Sequence, residues 1–154
     1  MADKKRNDRG ERFKKAKREL REGAFILYFE SLFRDDSIDD IFEASSEVNA
    51  PDDNINISEE SCELAKKIAA KSDEIDAVIS EYSTKRSVDR IAKINLAILR
   101  LAIYEAKFED SIPVNVAISE AVLLAQKYAR DPDVSFINGV LGAFSRANKE
   151  EQNG

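Results

Sequence analysis

Lys14, Lys17, Arg18 and Arg21 recur at three- and four-residue spacing, so on a helix they share one face. With Lys15 they place five cations within eight residues, a row that can track a phosphate backbone with salt-dependent affinity. The row belongs to a wider polarity of charge. Residues 1–21 hold ten basic and four acidic side chains, a balance of +6, in a chain whose net charge is −6. The remaining 133 residues therefore carry −12, and eleven acids without one base lie between Asp35 and Ala65. A basic arm on an acidic body is the pattern expected where one terminus meets phosphate. On charge alone, a terminus that merely aids solubility stays open as the plainer alternative.

Other chemistry is poorly provided for. The chain has no histidine, which removes imidazole acid–base catalysis, Ser–His and Cys–His nucleophile pairs and His metal ligands. A single Cys62 allows neither an internal disulfide nor a Cys-cluster zinc site. No GxGxxG or P-loop string occurs, and the acids of 35–63 lack EF-hand spacing, so they read as a solvated face. The chain is expected to be a binder without an enzymatic activity, a metal or a cofactor. Phe13, Tyr28, Tyr82, Tyr128 and Phe136 are candidate stackers for exposed bases. Helical spacing assigns the aromatics to the core more often than to a ligand, Phe13 and Phe136 excepted. Arg100 and Glu105 interrupt an otherwise apolar stretch. An ion pair inside the bundle is the plain reading for them, with Glu105 offered to a partner as the alternative.

These residues need elements to hold them. At 154 residues and 43% hydrophobic side chains the chain makes one all-α domain, a helical bundle of about six to seven helices. Residues 1–12 carry no apolar side chain after Ala2 and are expected to be a disordered arm. Leu20, Ala24, Leu27, Tyr28 and Leu32 predict a first helix over 13–34. Ile38, Ile41 and Phe42 make one short helix, with the rest of 35–57, including Asn49, Pro51 and Asn54, a loop. A cap-like Ser58 opens a helix over 58–82. Ser87-Val88-Asp89-Arg90 opens the next element, a helix from Ile91 to Phe108 that is apolar around most of its circumference, as a central buried helix should be. A further helix over 114–129, a turn at Asp131-Pro132-Asp133, a last helix over 134–148 and a frayed tail over 149–154 complete the chain. Neither a signal-peptide core nor a membrane-length apolar run is present, so a cytoplasmic location without membrane contact is expected.

Four strings stand in order: Lys17-Arg18 with Arg21-Glu22-Gly23-Ala24 and Leu27-Tyr28-Phe29-Glu30, then Arg90-Ile91 with the run from Ala97 to Glu105, then Ile112-Pro113-Val114 through Tyr128, and last Phe136-Ile137-Asn138-Gly139-Val140-Leu141. Across about 17–146 they resemble the NusB family of bacterial transcription antitermination factors. The resemblance implies a bundle in two subdomains, with 13–148 as the RNA-binding domain. It also implies binding of boxA-type single-stranded RNA together with a small-subunit ribosomal protein, NusE. That pair keeps RNA polymerase elongating, notably in ribosomal RNA operons, as part of the elongation complex. The implied RNA-binding residues are Lys17, Arg18 and Arg21, all expected at the surface, with flanking Lys14 and Lys15 and, near the last string, Arg130 and Phe136. Some members self-associate over the RNA surface, which leaves a homodimer open.

The chain also departs from the family pattern. Asn95-Leu96 stands where the family usually has an acid followed by Arg, on the surface that faces the ribosomal protein, and nearby Asp89 can supply a charge instead. The expected partner-binding residues are thus Asp89, Asn95 and Glu105. Glu30 replaces a usual Gln and puts a negative charge near the arm. Two other readings remain: a helical protein–protein adaptor with weakened RNA binding, and a domain of the kind found at the N-terminus of ribosomal RNA cytosine methyltransferases, for which this chain supplies no catalytic segment.

Overall fold

A computed structural model describes residues 2–47 and 57–153, with side chains described over 9–45 and 57–148. Seven α-helices and one 3-10 helix form among these residues, and none of the described residues forms a strand. The helices are α1 (Ala2–Ser31), α2 (Ile38–Glu47), α3 (Glu59–Ala70), α4 (Ser72–Tyr82), α5 (Lys93–Phe108), α6 (Val114–Tyr128) and α7 (Asp131–Asn153), with the 3-10 helix at Val88–Arg90 between α4 and α5. The chain divides into two compact units, Met1–Lys67 and Ile68–Gly154, as the expected two subdomains require. The loop expected around Asn49, Pro51 and Asn54 lies outside the described residues.

In the first unit α1 packs on α2, and the buried side chains are Ala24, Phe25, Leu27 and Tyr28 of α1, Ile41 of α2 and Cys62, Leu64 and Ala65 of α3. Phe25 and Phe29 stack on α1 with ring centroids 5.9 Å apart, and Phe33, just beyond the end of that helix, meets Phe29 edge-on at 5.1 Å. Ser58 caps α3: its Oγ accepts the backbone N–H of Ser61 at 3.1 Å, and Glu59 and Glu60 follow in the first turn, where the helix dipole favours acids. Cys62 donates its thiol to the Asp39 carboxylate at 3.5 Å, and burial together with that bond pushes its pKa up.

The second unit is built around α5, which packs against α4, α6 and α7. Asn95 to Leu99 and Leu101 to Glu105 are all buried, the pattern of a central helix. Ala117, Ala121 and Ala125 put a stripe of small side chains on the buried face of α6, which lets backbones approach closely. Ile137, Val140, Leu141 and Phe144 give α7 its buried face at three- and four-residue spacing. Arg100 forks onto Asp76 of α4 with two bonds of 2.8 Å, so the expected ion pair inside the bundle is made for Arg100 through α4.

Several boundaries differ from the periodicity reading. The helix expected over 58–82 is two helices, broken at Lys71, whose φ of −107° and ψ of 12° leave the helical region. Ile68 and Ile75 lie seven residues apart, in register for one continuous helix, so periodicity could not reveal the break. Asp131-Pro132-Asp133 is the first turn of α7 rather than a turn before it. The Arg130 carbonyl accepts from the N–H groups of Asp133 and Val134 at 2.9 Å, and a proline in a first helical turn sacrifices no bond. Finally, α1 and α7 run through the stretches expected as an irregular arm and tail, to Ala2 and Asn153. Extending a formed helix costs far less than nucleating one.

Candidate nucleic-acid interface

The N-terminal half of α1 lies outside the core. Every residue from Arg9 to Glu19 is exposed, which leaves Lys14, Lys15, Lys17 and Arg18 in solvent on about 6 Å of helix axis. Phe13 is 65% exposed among them, with the Lys17 Nζ 5.8 Å from its ring centroid, one helical turn away. Arg21 does not continue this row at the surface as expected, for only 5% of it is exposed. The reason is its register: residues three, four and seven positions on are Ala24, Phe25 and Tyr28, so the stripe that is cationic at 14, 17 and 18 becomes the core stripe at 21. Four of the five cations therefore form the exposed row.

The row is tied to a rigid footing by Gly23 and Ser61. A Cβ at Gly23 would lie 2.6 Å from Ser61 Oγ, so α1 and α3 approach more closely there than any side chain allows. Ser61 is fully buried and donates its hydroxyl to the Leu20 carbonyl at 2.9 Å, one turn before that contact. Glu30, whose charge could oppose an anionic ligand, is bonded to Arg34 at 3.0 Å.

Arg130 and Phe136 belong to the second unit. Arg130 is exposed and its carbonyl opens α7, while Phe136 is half-buried. Arg86 lies over the Phe136 ring at 4.5 Å and within 3.8 Å of Asp133. Beside this stack is a cavity of about 330 Å³ lined by residues that include Tyr82, Thr84, Lys85, Ser135 and Phe136. Sequence reasoning missed Arg86, although Thr84-Lys85-Arg86 is a basic loop cluster. The other candidate stackers serve packing: Tyr28 is buried, Tyr82 meets Phe144 edge-on at 5.7 Å, and Tyr128 is half-buried with Lys127 on its ring.

The expected partner-binding residues separate. Asp89 is exposed on the 3-10 helix, but Asn95 is 0% and Glu105 2% exposed, so neither presents its side chain at a surface in this conformation. Both lie on α5 at positions that face inward on a helix surrounded by three others. Asp89 instead joins Asp73, Asp76, Val88, Ile91 and Leu96 along an open groove of about 730 Å³. Lys93 and Arg100 line it too, and Arg100 holds Asp76, so the groove mixes charges of both signs with apolar side chains. Asn95 has a further peculiarity: neither its amide nitrogen nor its oxygen has a hydrogen-bond partner among the described residues.

An exposed cationic helix anchored in an all-α body, with a second basic and aromatic patch, defines a helical protein suited to an anionic polymer. A model described as the NusB family matches residues 18–146, and the chain belongs to that family. It is 41% identical over 129 residues to the transcription antitermination protein NusB of Agathobacter rectalis, covering 82% of this chain and 96% of that one. It is 38% identical over 136 residues to the corresponding protein of Clostridium acetobutylicum, covering 88% and 98%. Among solved structures it is similar to T. maritima NusB, with a TM-score of 0.69, 31% identity and coverage of 84% and 89%. It is likewise similar to a chain in a crystal structure of the antitermination factors NusB and NusE with double-stranded RNA, with a TM-score of 0.69, 25% identity and coverage of 85% and 96%.

Proposed function

We propose that this protein is a transcription antitermination factor that binds boxA-type single-stranded RNA together with the small-subunit ribosomal protein NusE. In this reading the pair joins the RNA polymerase elongation complex, notably on ribosomal RNA operons, and the protein performs no catalysis of its own. The carrying observation is the exposed row Lys14, Lys15, Lys17 and Arg18, which runs straight into the matched family region. Arg130 and Phe136, with Arg86 stacked on the latter, supply a second contact zone in which cations and a ring lie together. Ser61 and Gly23 hold the helix that carries the row, so part of its conformational entropy is already lost before RNA binds. The groove in which Asp73 and Asp89 lie beside Val88, Ile91, Lys93 and Leu96 is, in this reading, the docking face for the ribosomal protein, with Asp76 already held by Arg100.

The test is a titration of boxA-like RNA, with and without the ribosomal protein, over a salt series. Affinity should fall log-linearly with salt. A Lys14→Ala/Lys15→Ala/Lys17→Ala triple should flatten the slope by up to about 2, from roughly 0.7 per neutralised phosphate of a single strand. It should leave stability within about 0.5 kcal/mol, since the three side chains are exposed. Absence of RNA binding, or affinity indifferent to salt, refutes the proposal. Protein partners recovered equally well after RNase treatment, without RNA affinity, would establish the adaptor reading instead.

A further inference from the structure

The family match begins at residue 18, yet the exposed cationic helix begins well before it, and Phe13 sits in that earlier stretch. Phenylalanine at 65% exposure forgoes most of the burial that ordinarily justifies it. No core explains it, because every residue from Arg9 to Glu19 is exposed. Cations predominate around it: Lys14 and Lys15 follow it, Arg12 precedes it, and Lys17 reaches back over the ring at 5.8 Å, with Glu11 the one nearby acid.

We infer that Phe13 is a base-stacking platform for single-stranded RNA, taking one nucleotide beyond those held by the family's own surface. The inference rests on the RNA-binding function proposed above. An aromatic ring offers a face to any base, and cations beside it hold the phosphates on either side of the stacked nucleotide. The Lys17 ammonium near the ring adds cation–π attraction and leaves the ring mostly in solvent. A lipid surface would need a stripe of apolar side chains along the helix. Between Arg9 and Glu19 the only other apolar side chain is Ala16, and the position one turn after Phe13 is Lys17. The ring is therefore suited to a single flat ligand.

The test uses the full chain, labelled boxA-type RNA and the same RNA lengthened by four nucleotides at either end. Phe13→Ala should weaken binding of the RNA that reaches the arm by about five- to one hundred and fifty-fold, the range found for stacked bases, while the salt slope stays unchanged. Phe13→Leu should behave like alanine, because it is apolar without a ring face, and Phe13→Trp should restore affinity. The protein contains no tryptophan, so Phe13→Trp also introduces a unique fluorophore that a stacked base should quench. A Phe33→Trp variant, its indole at another exposed position, should respond little. An abasic site at the stacked nucleotide should cost affinity in the wild type and nothing in Phe13→Ala. If the wild type binds RNA with the expected salt dependence while Phe13→Ala binds equally well, this inference alone falls. If the wild type binds no RNA, both fall. If the fluorescence of Phe13→Trp responds to anionic phospholipid vesicles and not to RNA, the residue is a membrane anchor and the inference is overturned.

Discussion

Replacing Gly23 by alanine probes the contact that fixes α1, the helix proposed to meet RNA, to α3. Taken alone, the helix interior should welcome the change, since Gly→Ala there gains roughly 0.5–1 kcal/mol. The surroundings oppose it. The new Cβ would sit 2.6 Å from Ser61 Oγ and 3.1 Å from Ser61 Cβ, both inside normal contact distance. Ser61 is 0% exposed, its hydroxyl bonds the Leu20 carbonyl at 2.9 Å and its Oγ lies 3.2 Å from that of Ser58. Turning the hydroxyl away breaks these bonds inside the protein, about 1–3 kcal/mol, while keeping it forces the helices apart at a similar cost. The propensity gain offsets only part of this, so Gly23→Ala should destabilise by about 1–2 kcal/mol. For a chain of this size that lowers the thermal midpoint by roughly 2–8 °C. Urea denaturation should show a lower midpoint at unchanged m, and in a Ser61→Ala background the cost should shrink by at least about 0.5 kcal/mol, because the two sites share one contact. A Gly23→Ala protein as stable as the wild type, or a cost indifferent to Ser61, would refute the reasoning.

Three other perturbations follow from the second unit. Asn95→Leu removes a buried amide that has no partner while keeping similar volume, and should raise stability by about 1–3 kcal/mol in urea denaturation, whereas destabilisation would show that the amide is engaged. Asp76→Ala leaves the Arg100 fork without its carboxylate and should cost about 2 kcal/mol, with Asp76→Asn recovering part because one acceptor oxygen remains, and a cost under about 0.5 kcal/mol would contradict this. Tyr104, 6% exposed and donating to Glu109 at 3.0 Å, has its hydroxyl pushed up to about 12 from 10.0, first by burial and then by that bond. A raised pKa means that the fold favours the neutral phenol, so its contribution is complete below pH 10 and lost as pH rises through 12. Stability measured from pH 9 to 12 should fall by about 2–3 kcal/mol more for the wild type than for Tyr104→Phe, and parallel curves would falsify the assignment.

Local structure is legible wherever one helix carries its own signal. The apolar run of α5, the four-residue alanine spacing of α6 and the 137–144 stripe of α7 each announce a face, because side chains three and four apart on a helix meet the same neighbour. Ser58 is visible as a cap for the same reason, since its partner N–H is three residues away. The cationic row is legible too. Lys14, Lys15, Lys17 and Arg18 are exposed as a charge row should be, and the four family strings lie almost wholly within the matched region 18–146. The break at Lys71 was hidden by an apolar register that carries straight through it.

The sequence alone thus determined the all-α class, most helix positions and the split of charge between a basic start and an acidic body, since each depends on residues within a turn or two of one another. Only the tertiary structure decided which members of those patterns face water. Arg21 continues the cationic spacing yet is buried because the core begins there, and Asn95 and Glu105 turn inward because three helices surround α5. Arg100 meets Asp76 from 24 positions away, and Arg86 reaches Phe136 from fifty. Such pairings arise from the packing of whole helices, which no spacing along one of them encodes.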